Sequence, residues 1–105
     1  MLLATLFLGT EVPGRGPVSA QEWEEFAATV VTPRFPEGLT VLDGQGQWRD
    51  PASGRLAREG TKLLILGAPD TPATLQGLEE VSAEWRRRFR QLSVGRMIQP
   101  VCAGF

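Results

Sequence analysis

The segment VVTPRFPEGLTVLDGQGQWRDPASGRLAREGTKLLIL, residues 30–66, decides the fold of this chain. It joins the end of a predicted helix to two strand patterns, at residues 39–48 and 56–66, which the turn residues at 50–54 separate. Glycines interrupt the first of these strands, and they favour a bulge or strong bend over a regular ladder. The segment therefore predicts a hairpin with an irregular first strand.

The helix that leads into this segment has the clearest signature in the chain. Ser19 is a good N-cap, and Glu22, three residues later, completes a capping box. Apolar residues then recur at the spacing of one helix face: Trp23, Phe26, Ala27, Val30 and Val31. We expect Pro33 to end the helix, because the residue before a proline is pushed out of the helical region.

The remaining patterns complete the order of elements. An apolar run at residues 2–8, bounded by Gly9, predicts a buried strand. Thr71 and Pro72 open a second helix, whose glutamates precede its arginines as the helix dipole favours. Residues 94–103 predict a last strand.

The resulting order, β-α-β-β-α-β, is typical of an α+β fold. Its usual form is the ferredoxin-like plait, a four-stranded antiparallel sheet with both helices on one face. The inner helix stripes should then be mostly buried between the helices and the sheet. These stripes contain Trp23, Phe26, Val30, Leu78, Trp85 and Phe89.

Length and charge limit the class of protein. The 105 residues are enough for one domain spanning residues 1–105. Eleven basic and twelve acidic residues leave a net charge of -1, so no overall charge attracts nucleic acid. The chain has no histidine, which removes the commonest acid/base group near neutral pH. No metal-ligand spacing is present either, and we expect neither a metal nor another cofactor.

The two ends of the chain carry an apolar segment and the one cysteine, respectively. The start, MLLATLFLG, lacks a positively charged region and is far shorter than the roughly 20 residues that span a bilayer. We expect no membrane span and a cytoplasmic location, or an exported one if an upstream signal sequence has been removed. Cys102 has no histidine to activate it and lies in an apolar stretch, so a buried and inert thiol is expected.

Three strings carry a resemblance to a known family. They are VTPRFPEGLTVLDGQGQWRD at 31–50, REGTKLLIL at 58–66 and RFRQLSVGRMIQPVCAGF at 88–105. With them the chain resembles the bacterial domain of unknown function family 3574 over nearly its whole length. The resemblance implies a small α/β domain, often found behind an export signal or lipid-attachment sequence, and it implies no activity.

A set of polar and aromatic residues around the hairpin forms the candidate ligand-binding site. Arg34 follows a proline on a rigid segment, and its planar fork suits a carboxylate or phosphate. Asp43 is the only plausible base, and Trp48 would form the floor of a pocket. No catalytic residue is assigned. The complete set is Arg34, Asp43, Gln47, Trp48, Arg49, Glu59 and Lys62.

Each of these residues also has a structural interpretation. Arg34 would bind loop carbonyls or an acid, and Asp43 would cap its own turn. Arg49 would pair with Glu59 or Asp50 across the hairpin. For most of the candidate residues, a structural role and a role in ligand binding are therefore both open.

Two functional classes follow from these patterns, and a third is disfavoured. The first is a noncatalytic binding or assembly module, expected to be a homodimer because the sheet face opposite the helices is otherwise exposed. The alternative is a small cofactor-independent enzyme of the dimeric plait type, using Asp/Arg chemistry on a small anionic or carbonyl-bearing ligand. Nucleic-acid binding is disfavoured because the charges of the run WRRRFR, residues 85–90, are expected to pair with preceding glutamates.

Overall fold

The computed structural model, which describes residues 1–105, contains one four-stranded sheet with the order β2-β3-β1-β4. All three neighbouring pairs of strands are antiparallel. The strands are β1 (Leu2–Gly9), β2 (Thr40–Arg49), β3 (Leu56–Ala68) and β4 (Gly95–Pro100). One helix follows β1 in the sequence and a second follows β3. This element order and the antiparallel sheet confirm the predicted ferredoxin-like plait.

The first helix, α1, comprises residues 20–34 and begins where the capping box predicts. The Ser19 hydroxyl accepts from the backbone N–H of Glu22, and the Glu22 carboxylate accepts from the backbone N–H of Ser19. Arg15 donates two hydrogen bonds to the same carboxylate, which lowers the pKa of Glu22 to about 2. This end of the helix is therefore fixed by both a cap and an ion pair.

Pro33 does not end α1, contrary to the prediction. An α-helical segment, Ala20–Phe26, continues into a π-helical segment, Ala27–Val31, and then into a last α-helical turn, Thr32–Arg34. Thr32 keeps helical dihedral angles, φ -57° and ψ -41°.

A wider, π-helical turn lies directly before the turn that contains the proline. In a regular helix the proline ring clashes with the carbonyl four residues earlier, and its missing N–H leaves that carbonyl without a donor. Here the backbone N–H of Thr32 donates to the carbonyl of Ala27, five residues back. In the same region the side chain of Arg34 donates to the Val30 carbonyl, at 2.8 Å.

The second helix, α2, spans Pro72–Phe89. Thr71 caps its N-terminus through the backbone N–H of Thr74, and Pro72 occupies the first turn. Arg90 ends it in the left-handed conformation, with φ 50°. Three arginines near its end pair with preceding glutamates as expected: Arg86 with Glu79, and Arg87 and Arg88 with Glu84. Arg90 instead donates to the Pro13 carbonyl.

The core lies between the two helices and one face of the sheet. On that face β1 contributes Leu2, Ala4, Leu6 and Leu8, all buried. Phe26, Trp85 and Phe89 pack as an aromatic cluster, with ring centroids 4.9 Å apart for Phe26 and Trp85. Of the predicted inner stripe, only Trp23 is partly exposed.

The other face of the sheet carries no helix and is called the open face below. The β2–β3 ladder on it is regular, because Thr40 to Arg49 pair one-to-one with Ile65 to Leu56. The predicted bulge is therefore absent. Strand alternation places a set of apolar side chains on the open face: Leu3, Phe7, Leu42, Trp48, Leu63, Ile65 and Met97.

None of the helices combines the length and the apolar content that crossing a bilayer requires.

Candidate ligand-binding groove

Two of the candidate residues, Asp43 and Lys62, form an ion pair on the helix-covered side of the sheet. The Lys62 Nζ lies 2.5 Å from the Asp43 Oδ1 and 5.7 Å from the centroid of the Trp23 ring. The Asp43 side chain is largely exposed, whereas Lys62 is mostly buried against its neighbours. Asp43 therefore stabilises the hairpin and positions Lys62, and the structure gives it no enclosed surrounding suited to a base.

Arg34 links the two helices. Its Nε lies 3.1 Å from the Glu80 Oε1, while its Nη1 donates to the Val30 carbonyl. Hydrogen bonds from Gln76 and then Arg34 lower the pKa of Glu80. Two of the three guanidinium nitrogens of Arg34 thus already have protein partners.

Arg49 and Gln47 hold the hairpin. The Arg49 Nη1 donates to the Gly54 carbonyl at 2.7 Å, rather than to Glu59 or Asp50. Gln47 accepts from Arg58, its direct neighbour on β3, at 3.0 Å. The expected pairing of Arg49 with Glu59 or Asp50 is therefore wrong, although both residues make contacts within the hairpin.

Trp48 and Glu59 alternate to the open face, away from the other five candidates. There they line a groove of about 730 Å³ at the end of the sheet where β1 ends and β4 begins. This Glu59 groove is also lined by Phe7, Gly9, Glu11, Val12, Pro13, Gly46, Gln47, Thr61, Arg90, Gln91, Leu92, Ser93 and Gly95. The structure thus divides the predicted site between two faces, with Gln47 reaching the groove at its edge.

The carboxyl group of Glu59 lies directly over the backbone of Gly9. A Cβ atom at Gly9 would collide with the Glu59 Oε1 and would lie 2.8 Å from the Gln91 Oε1. A glycine is therefore needed for the carboxyl to occupy this position. Gln91 is held beside it by donating to the carbonyls of Glu11 and Phe89.

The electrostatic surroundings of Glu59 set it apart from the other acids of the chain. Burial raises the pKa of Glu59, and the negative charge of Glu11 raises it further. The structure gives its carboxylate neither a hydrogen bond nor an ion pair. Arg90 lines the same groove, but its guanidinium donates to the Pro13 carbonyl. Glu59 is thus a carboxylate without a cation to balance it.

Two aromatic side chains complete the groove. Phe7 lies against the backbone of Gly95, where an added Cβ would come within 3.2 Å of the ring. Trp48 is half-exposed and folds toward Gly46, the residue two positions earlier on the same face. An organic molecule in the groove would therefore meet a carboxylate and two aromatic side chains.

Sequence reasoning missed Phe7, Gly9 and Glu11, which belong to the strand and loop at the start of the chain. The available signal was the alternation of the two apolar strands. With Gly9 paired to Thr61, Phe7 and Glu59 fall on the same face of the sheet. Phe7 and Glu59 are far apart in the sequence, and only the pairing register of β1 and β3 brings them to the same face.

Cys102 lies beyond the end of β4 and is exposed, so the prediction of a buried thiol was wrong. The last strand is shorter than the sequence pattern and ends at Pro100, which pairs with Leu2, the first residue of β1. The chain contains no group of three or more metal-ligating side chains.

Comparison with known proteins gives a family and a fold. The family profile described as a protein of unknown function (DUF3574) matches residues 4–105. No curated protein matches the chain in sequence. Among solved structures, a phage SAM lyase in complex with S-methyl-5'-thioadenosine is similar, with a TM-score of 0.70 and 20% identity over 93% of this chain and 79% of that chain.

A second similar structure is a phage SAM lyase in the apo state. Its TM-score is 0.66, with 18% identity over 93% of this chain and 78% of that chain. At this level of identity, the two structures show that the fold is shared and nothing more.

Proposed function

This chain belongs to the family of unknown function DUF3574, and we propose that it is a noncatalytic binding domain that acts as a homodimer and takes a small organic cation in the Glu59 groove. The observation that carries the proposal is the carboxylate of Glu59, which is partly desolvated and unpaired in a groove that Phe7 and Trp48 also line. A cation placed there relieves the cost of keeping that charge away from water.

The composition of the groove supports a cation over an anion. Glu59 and Glu11 repel each other, so an added positive charge stabilises both. The π faces of Phe7 and Trp48 attract cations within about 6 Å of a ring centroid. The basic residues that suggested an anionic ligand, Arg34 and Arg49, bind protein acceptors elsewhere.

The similar structures suggest the first cation to test. They are phage SAM lyases, and one of them holds S-methyl-5'-thioadenosine. SAM carries a sulfonium cation next to an adenine ring that can stack on an aromatic side chain. The groove volume of about 730 Å³ is also within the usual range for sites that hold such molecules.

The test is isothermal titration calorimetry with two cations, SAM and the smaller choline. We expect at least one to bind the wild-type protein, and Glu59→Gln to weaken that binding by about tenfold or more, equivalent to about 1.4 kcal/mol. Asp43→Asn is the matched control, since it removes a carboxylate from the opposite side of the sheet and should leave binding unchanged.

Two results would contradict the cation proposal. One is the absence of binding by both SAM and choline at millimolar concentration. The other is a cation that binds wild type and Glu59→Gln equally well.

The enzymatic alternative is favoured by the raised pKa of Glu59, since general acids and bases are often tuned in this direction. In that case Glu59, and not Asp43, would exchange a proton with the ligand. Incubation with SAM followed by chromatography separates the two functions. Release of S-methyl-5'-thioadenosine that Glu59→Gln abolishes would establish an enzyme, whereas intact recovery of bound SAM supports a binding domain.

A further inference from the structure

The open face of the sheet carries far fewer charged residues than the helix-covered face. Among the strand residues that alternate to the open face, Glu59 is the one charged residue. The charged strand residues on the other face are Asp43, Arg49, Arg58, Lys62 and Arg96. Depletion of charge marks the central part of a protein–protein interface.

The apolar side chains of the open face form a continuous patch across all four strands. Leu42 pairs with Leu63, which pairs in turn with Phe7. On the far strand Met97 lies beside Thr5. Leu42 is 50% and Met97 67% exposed in a single copy, and Trp48 extends the patch toward the groove. Large contiguous patches of this kind are rare on monomeric proteins.

We infer that the open face is the surface through which two copies of this chain associate, an inference that rests on the homodimer in the proposed function. An occupant of this face must be apolar where the face is apolar and must bring no charge to its centre. A second open face meets that requirement, and a two-fold axis lets one patch cover itself.

The size of the face suits such a dimer. Taking about 3.3 Å per residue and about 4.8 Å between strands, the four strands present roughly 600 Å² of sheet before side chains are added. A standard interface buries about 800 Å² on each partner. The bare sheet thus provides about three quarters of a standard interface, and the side chains that stand on it add to that area.

The dimer has a consequence for the Glu59 groove, which borders the open face. Phe7 and Trp48 belong to both surfaces. A second copy on the open face would cover these two side chains from above, and the open groove would become more enclosed. Ligand affinity and association are then coupled, because the same side chains contribute to both.

Sedimentation equilibrium at micromolar concentration tests the inference. We expect the wild-type protein at twice its chain mass of 11.5 kDa. Leu42→Lys and Met97→Lys place a charge on the open face at positions already exposed in one copy, so each should fold and weaken the dimer at least tenfold. Leu75→Lys is the control, since Leu75 is 45% exposed on α2, and this variant should remain dimeric.

The outcomes separate this inference from the proposals on which it rests. A wild-type monomer overturns both the homodimer and the interface, while cation binding by calorimetry is judged on its own. A wild-type dimer that Leu42→Lys and Met97→Lys leave intact overturns the interface alone. Circular dichroism melting of each variant shows that a monomer has not arisen from unfolding.

Discussion

The two faces of the sheet contain similar apolar residues but differ in how far the chain's own helices cover them. On the helix-covered face, Leu6, Leu8 and Leu64 are fully buried by the chain's own helices. On the open face, Leu42 and Met97 keep half or more of their surface exposed. The comparison teaches that apolar content alone does not tell a covered face from an open one, whereas the position of the charged strand residues differs between the two faces.

The largest expected effect concerns the covered face. Phe89→Ala removes a ring that is 2% exposed and packs 4.4 Å from Trp85 between centroids, so we expect a loss of about 3–5 kcal/mol in the free energy of unfolding. Urea denaturation at a fixed protein concentration measures it. A loss below about 1 kcal/mol would show that this face is not the core.

Met97→Ala is the matched variant on the open face. In the Leu42→Lys background, which we expect to be monomeric, Met97→Ala should cost less than about 1 kcal/mol, because Met97 is mostly exposed in a single copy. Equal losses for Phe89→Ala and Met97→Ala would remove the difference between the two faces.

A medium effect is expected from Gly9→Ala, which adds a methyl group to the open face. The methyl would collide with the Glu59 carboxyl and with the Gln91 amide, both of them ends of flexible side chains. We expect the carboxyl to move aside, binding of the cation to weaken about tenfold, and unfolding free energy to change by less than about 1 kcal/mol. Calorimetry and urea denaturation measure the two quantities.

Gly16→Ala is the control for this substitution, because nothing lies near a Cβ atom at Gly16. It should leave cation binding unchanged. If Gly9→Ala binds the cation as well as wild type does, the position of the Glu59 carboxyl over Gly9 has no role in binding.

The smallest effect is a pH dependence of stability. Burial raises the pKa of Glu59, so the folded protein disfavours its ionised form. At pH 7, Glu59→Gln should therefore be slightly more stable than wild type. The difference should close as the pH falls through the raised pKa toward the ordinary glutamate value of about 4.3. A Gln variant less stable than wild type at pH 7 in urea denaturation would contradict the stated cause.

Local patterns predicted most of the fold. The capping box at Ser19 and the apolar spacing of both helices depend on residues within a few positions of each other, and each was confirmed. Pro33 was misjudged because the local rule assumes a regular turn before the proline. The structure instead uses a π-helical turn, which no residue preference signals.

The candidate site was predicted less well for a physical reason. Arg34 finds its acid 46 residues away on α2, and this distant partner occupies the group that looked available. Glu59 becomes notable only when the register of β1 and β3 places Gly9 beneath it. Pairings between distant strands and helices thus decide which polar residues remain free, and single-residue patterns do not contain that information.

The pairing of the two chain ends has a topological consequence. Leu2 lies opposite Pro100, and the backbone N–H of Val101 donates to the Met1 carbonyl at 2.9 Å. The path of the backbone from residue 1 to residue 101 is thus nearly a closed ring. Opening this ring at another loop would change which element comes first in the sequence but not which strands are neighbours in the sheet. A circular permutant that joins these ends by a short linker and opens at the exposed Gly14 should form the same sheet.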